Sequence, residues 1–490
     1  MNIFELHAPE IGNSGAVFSW TVSSNDLYLR NSFRINIPDA DKLPVRFWLL
    51  LAMICLHTHW ILLRPLTVKL PHQLLPGEKD IWLRLLQIGF QTLEGHRQNP
   101  DTDLAIDLQE VDRILPPARA LSPSARCATS FSGGRDSLVQ TGLLLEFSER
   151  PLLVATTSPM PPLSDHSNER RRHVFDHMKS RSDLEFVEVT SDFRSSWNNS
   201  FAAMRGYPVS VNAMTDTLLY TSAAIAASRL RNINSVYLAA ESEVSDNARR
   251  DGRIVLFHHF MYSIPIQHGI SLLLKPWGMQ YGSLTCPLRG PHIQTLLRRR
   301  YPELANWQYS CWKVSDKEAA CSCCDKCLLM GLGIIIEGGK PEDIGIELVK
   351  MMHFAESFKP IYRDSSQIGP LARDRVTFEH QMNIIRYMQR VGVTKILKVK
   401  PGLFASPGGI KGLMAYASAH RRAMRMETGK QAGWRPEYGD FIPGAIKNRV
   451  LRLYSESLSP ADGATYAEDL SGNRFLVEYL NQSGIHSENT

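Results

Sequence analysis

Cysteine is sparse over most of this 490-residue chain: Cys55, Cys127 and Cys286 stand alone, and the other five crowd into 311–327. That distribution argues against a disulfide framework and reads instead as a metal site in a reducing compartment. Long apolar runs are also missing. The greasiest stretch, "FWLLLAMICL" (47–56) continuing into "HTHWILL", falls short of the ~18 uninterrupted apolar residues of a membrane span, and His57 and His59 break its extension. A buried core helix and no membrane contact are expected. The opening "MNIFELHAPEIGNS" lacks the basic start, apolar run and small-residue cleavage site of a signal peptide, so the expected location is cytoplasmic. Neither charge sign dominates: 55 Lys and Arg face 49 Asp and Glu, a net +6 that permits an anionic partner without demanding one. No internal repeat of solenoid period is present.

What is present is enough chain for two to three domains. Residues 1–114 open with strand-like "AVFSWTV" and "LYLRNSFRINI" and continue through the apolar helix, which predicts an N-terminal α+β domain. The Pro/Ala/Ser-rich "LPPARALSPSAR" (115–126) reads as a linker. Over 127–340, short apolar strands alternate with helical stretches. "CATSFS", "PLLVATTS" (151–158), "LEFVEVTS" (184–191), "SVYLAAESE" and "GISLLLKP" (269–276) read as five strands. This alternation predicts an α/β fold with a doubly wound, mostly parallel sheet, whose ligands bind outside the carboxyl ends of the strands. Residues 341–480 read as a mainly helical region, where Phe378, Met382, Ile385 and Met388 would share a face, and 481–490 as a flexible polar tail.

The first predicted strand runs into "SFSGGRDSL" (130–138). Glycines let backbone N–H groups approach a ligand closely, and successive N–H groups in a turn form an anion-binding nest, to which the following helix adds its positive end. Ser132 and Ser137 add hydroxyls, and Asp136 suits Mg2+ binding or ordering of the turn. The lysine of the G-x-x-x-x-G-K-[ST] phosphate loop is missing. An ordinary strand-to-helix turn capped by Ser and Asp is the plainer alternative.

"SGGRDS" resembles the S-G-G-x-D-S signature of the adenine-nucleotide α-hydrolases, or N-type ATP pyrophosphatases. The resemblance implies a Rossmann-like fold, cleavage of ATP between its α- and β-phosphates, and adenylation of a substrate oxygen.

The second motif is "SCWKVSDKEAACSCCDKCLLMGLG" (310–333), read as C-x9-C-x2-C-x2-C. Cys311, Cys321, Cys324 and Cys327 can make a closed tetrahedral Zn2+ site of the kind that serves structure. Cys323 is the odd one out, and an iron–sulfur cluster or a set of free thiols are the alternatives. The glycine turn followed by this motif resembles the QueC family, 7-cyano-7-deazaguanine synthases, over about residues 127–335. The resemblance implies ATP contacts at Phe131, Ser132, Gly133, Gly134, Arg135, Asp136, Ser137, Leu138, Val139, Gln140 and Thr141, with Asp136, Ser132 and Ser137 in catalytic roles. It implies ATP, Mg2+ and Zn2+ as cofactors, and activation of a 7-carboxy-7-deazaguanine-like carboxylate for amidation, nitrile formation or conjugation to an amine.

Two departures qualify the substrate. Val211 stands where the family has an arginine before Asn212, and "AAESEVSDNARRDGR" does not match the family's base-binding loop, although Glu241, Glu243 and Asp246 could accept guanine-like N–H donors. The added terminal regions are similar to those of longer QueC-like proteins, including the QueC-like component of Qat antiphage defence systems. That likeness implies operon-encoded defence partners and permits a protein acceptor. A tRNA-modifying thiolase or ligase of the same superfamily, with Cys286 as its isolated cysteine, and a non-catalytic nucleotide-binding scaffold are the competing readings. His173 and His177 have metal-binding spacing but no third ligand. The basic stretch 421–452 lacks a stacking platform for nucleic acid and reads as a solvated face or protein interface.

Overall fold

Alternation along each central strand sends neighbouring side chains into two different cores, so both faces of the sheet carry helices. The computed structural model describes residues 1–23, 26–95, 101–115, 119–158, 169–207, 210–242, 247–250, 253–256, 260–309, 311, 320–358, 375–426, 433–458, 474, 477–479 and 481–482. The first 114 residues supply β1 (Asn2–Leu6), β2 (Glu10–Gly12), β3 (Gly15–Val22), β4 (Ser32–Asn36), β5 (Leu66–Leu70) and β6 (Ile106–Glu110). Next come β7 (Cys127–Ser130), β8 (Leu152–Thr157), β9 (Glu185–Ser191), β10 (Ser235–Tyr237) and, after the separate hairpin of β11 (Asn247–Arg250) and β12 (Arg253–Leu256), β13 (Gln280–Gly282). The principal helices are α1 (Val45–Leu63), α2 (Glu78–Glu94), α3 (Arg135–Phe147), α4 (Glu169–Ser180), α5 (Val211–Leu230) and α6 (Ile264–Leu274). They continue with α7 (Gly290–Arg299), α8 (Asp325–Ile336), α9 (Leu348–Ser357), α10 (Arg375–Arg390), α11 (Pro407–Ala423) and α12 (Lys447–Ser457).

The strands form one eleven-stranded mixed sheet in the order β13-β10-β7-β8-β9-β4-β3-β1-β5-β6, with β2 paired to β3. Every pair from β13 to β9 is parallel. β4 then joins β9 antiparallel, where Asn36 Nδ2 donates to Thr190 Oγ1 at 2.9 Å. Residues 1–114 therefore extend the central sheet. Numbered within the parallel block, the strands from β9 to β13 run 3-2-1-4-5, so the direction of growth reverses between β7 and β10.

On one face, Ala128, Leu152, Val154, Val187, Val189 and Val236 pack with α1 and α5. On the other, Cys127, Leu153, Ala155 and Tyr237 pack with α3, α7 and α12. The four clustered cysteines belong to a third core, shared with α8, α9, α10 and α11. Among the described helices α1 alone is long and apolar enough to cross a membrane, yet it lies buried inside the fold. Ala223, Ala226 and Ala227 of α5 let α1 approach closely, and Cys55 Sγ donates to Ser222 Oγ at 3.3 Å.

One strand expectation is corrected. "GISLLLKP" lies mostly in α6, with Pro265 in its first turn, and the fifth parallel strand is the short β13 beyond it. A buried apolar run has no period that separates strand from helix, and Gly269 reads as a breaker although it marks a close approach to Leu85. The helical expectation for 341–480 holds at α9, α10 and α11, where Met382, Ile385 and Met388 are buried; the side chain of Phe378 lies outside the described residues.

The histidines that interrupt the apolar run are fully buried. His57 Nδ1 lies 2.9 Å from the Ile54 carbonyl, and His59 Nδ1 lies 3.2 Å from the Tyr28 hydroxyl. Burial lowers their pKa values to about 4 and about 3. An unfolded histidine takes up a proton near pH 6.5, so below that value the unfolded state binds protons that the folded state refuses. Stability is expected to fall as pH drops from about 6.5 towards 4, His57 alone accounting for about 3 kcal/mol at the lower end. Chemical denaturation at a series of pH values checks this, and His59→Gln should flatten the slope.

Candidate functional site

β7 ends at Ser130 and α3 begins at Arg135, so the chain reverses within residues 131–134. Gly133 allows it at φ +75°, in the left-handed region that favours glycine, and a Cβ there would lie 3.2 Å from Val174. Ser132 Oγ accepts the Gly134 N–H at 3.3 Å and lies 3.3 Å from Ser137 Oγ, which donates to the Gly134 carbonyl at 2.9 Å. The hydroxyls thus brace the turn. The first N–H groups of α3 have no intrahelical acceptors, which makes this end a place for an anion once other groups complete it. It opens where the strand order reverses, at the carboxyl end of β7.

Several expected ATP contacts lie beneath the turn. Phe131, Leu138 and Val139 are core side chains. Gln140 donates from Nε2 to Thr129 Oγ1 at 2.7 Å and accepts the Leu284 N–H at 3.1 Å; Thr141 Oγ1 donates to the Ser137 carbonyl at 2.8 Å. Ser137 is buried too, which leaves Ser132, Arg135, Asp136 and the glycine backbone as the parts nearest solvent.

Arg135 joins the turn to the loop after β10. Its Nη2 lies 3.2 Å from Asp136 Oδ1 and 3.2 Å from Glu241 Oε2. Lys326, on the first turn of α8, stands in the field of the same groups: burial lowers its pKa, Asp136 and Glu241 pull it up, and Arg135 pushes it down. His380 of α10 is lowered to about 4, chiefly by burial with Arg135 and Lys326 adding, and its ring bonds the backbone of Asp325. Asn212 begins the wall formed by α5, but its Oδ1 accepts from Trp197 Nε1 at 2.7 Å. One turn later Asp216 pairs with Arg194 at 3.1 Å. Glu243 and Asp246 lie outside the described residues. Sequence reasoning missed Lys326, His380, Arg194 and Asp216, which reach this crevice from distant segments; only Lys326, inside "CDKC", adjoined a motif.

The cysteine expectation is met in its geometry. The Sγ atoms of Cys311, Cys321, Cys324 and Cys327 all lie within 4.8 Å of one another, and all four residues are buried. Cys321 Sγ and Cys327 Sγ are 3.7 Å apart, close to the ~3.8 Å edge of a tetrahedron with ~2.3 Å Zn–S bonds. Cys324 caps α8 by accepting the Cys327 N–H at 3.5 Å, and Cys311 Sγ accepts the Cys321 N–H at 3.5 Å. Crowding by Cys311 and Cys324, together with burial, pushes the Cys327 thiol up, so metal binding would displace protons from the cluster. The four cysteines could hold a metal such as zinc, while Cys323 is exposed.

Cys286 is buried, donates to the Tyr438 carbonyl at 3.5 Å and has its thiol pushed up by burial, the reverse of what a persulfide-forming cysteine needs. His177 stacks on Trp307 with ring centroids 3.8 Å apart. No protein-family model, curated protein or solved structure matches the chain.

Cys321→Ser and Cys327→Ser are expected to abolish metal binding and Cys323→Ser to leave it intact, as elemental analysis of the purified variants would show. Because the ligands share a core with α8 to α11, chelation should also remove helical signal in the far-ultraviolet circular dichroism.

Proposed function

We propose that this protein is a QueC-like, Rossmann-type enzyme that activates a carboxylate with ATP, releasing pyrophosphate and then AMP. The observation that carries this reading is the placement of S-G-G-R-D-S at the reversal of strand order, with Gly133 in the left-handed region and the four-cysteine element adjoining it. A substrate carboxylate oxygen attacks the α-phosphorus, the bond to the β-phosphate oxygen breaks, and pyrophosphate leaves. An amine then attacks the acyl carbon and displaces AMP, losing a proton. The glycine backbone and the start of α3 receive the leaving pyrophosphate. Ser132 and Ser137 keep the turn open, and Asp136 orders it through Arg135. Asp136 is also the residue to hold Mg2+ brought with the nucleotide, whose charge would ease departure of pyrophosphate. The work is positioning and exclusion of water.

The acid is a 7-carboxy-7-deazaguanine-like carboxylate, with Glu241 near enough to the turn to meet a purine-like base. The added terminal regions favour an antiphage-defence context with protein partners, and an acceptor that is either ammonia or a protein amine. The buried Cys286 weighs against a thiolase.

Zinc-loaded protein incubated with labelled ATP and deazaguanine acids should form AMP and pyrophosphate; formation of ADP would contradict adenylation. Asp136→Ala should lower AMP formation by about a hundred-fold or more, the scale of losing a transition-state contact, with metal content unchanged. Mass spectrometry of the products separates free amide or nitrile from a conjugated protein.

A further inference from the structure

The glycine turn has no lysine of its own, yet the charge around it is balanced only by cations that reach in from the side. Arg135 is shared between Asp136 and Glu241, at 3.2 Å from each. A pyrophosphate group brings several negative charges to this place and needs a further cation. The geometry points to Lys326 as that cation: a phosphate-binding lysine delivered to the glycine turn by the four-cysteine element. The inference rests on the adenylation reading for the identity of its ligand, ATP or pyrophosphate, and otherwise on the placement of the two elements.

Two backbone features set that placement. The Tyr309 N–H donates to the Gly133 carbonyl at 2.7 Å, tying the segment that enters the cysteine site to the left-handed residue of the turn. At the far end of the same segment, Cys324 caps α8, and Lys326 lies between the ligands Cys324 and Cys327. The lysine stem thus leaves a helix end whose position is set by the cysteines, beside a turn fixed to the same segment. Lys326 already stands among Asp136, Glu241 and Arg135 before any nucleotide arrives. An ammonium on a flexible stem serves phosphate as a point charge, and a half-buried setting strengthens its pull on an anion. The metal site then has a second task beyond the fold: it holds the phosphate-binding lysine in register with the turn.

The test measures binding of inorganic pyrophosphate by calorimetry, and the KM for ATP in AMP formation, using the zinc-loaded full chain. Lys326→Ala should raise both the pyrophosphate Kd and the KM roughly ten- to hundred-fold, the scale of a charge-assisted hydrogen bond, with metal content preserved. Lys326→Arg should restore part of the affinity. If Lys326→Ala loses its metal, Lys326→Gln, which keeps most of the stem, supplies the reading. Unchanged pyrophosphate affinity and KM in a metal-loaded variant overturn the assignment. Wild-type protein that binds pyrophosphate through Lys326 but forms no AMP from any acid leaves the lysine in place and removes the adenylation reading. Wild-type protein that binds neither pyrophosphate nor ATP removes both.

Discussion

Parallel pairing of β7 with β8 on one side and β10 on the other is the constraint from which the crevice follows. Parallel neighbours need crossover connections, and the two crossovers from a central strand leave on opposite faces of the sheet. The chain around β7 therefore parts at its carboxyl end. Residues 131–134 must turn there without a bulky side chain, because Val174 and Tyr309 lie close to the space a Cβ at Gly133 would take. α3 then starts with its unpaired N–H groups facing the gap, and Glu241, just beyond β10, stands opposite.

The cysteine cluster gives the C-terminal helices a common anchor. Four buried sulfurs within 4.8 Å crowd into one core with α8 to α11, an arrangement that a bound metal would stabilise and free thiols would strain. The same element reaches the glycine turn through Tyr309 and Lys326. Residues beyond 340 thus bear on the crevice: His380 reaches from α10 to the backbone of Asp325 and lies in the field of Arg135. Further along, the segment carrying α12 returns to the sheet, where the Tyr237 hydroxyl donates to the Pro443 carbonyl at 2.9 Å and the Tyr454 hydroxyl to the Leu284 carbonyl at 3.0 Å.

Four of the five parallel strands, the glycine turn and the choice of Cys311, Cys321, Cys324 and Cys327 over Cys323 were all legible in the linear pattern. Each is a local matter: strands from apolar runs bounded by turns, ligands from x2 spacing, and the turn from adjacent glycines. The stretch 269–276 was misread because burial all round erases the period that tells a helix from a strand. Asn212 was singled out by position, and its oxygen turns out to serve Trp197. Phe131, Leu138 and Val139 stand in the motif, but helix geometry turns them into the core.

The chain's order of residues by itself determined where the backbone must bend at Gly133 and which thiols can meet, because those depend on neighbours a few positions apart. Only the tertiary structure decided that β4 extends the central sheet through β9, that Arg135 bridges Asp136 and Glu241, and that Lys326 and His380 come to the same crevice. These pairings span from about one hundred to more than two hundred positions of sequence; no local period encodes them, and they form only when sheet order and shared cores bring the segments together.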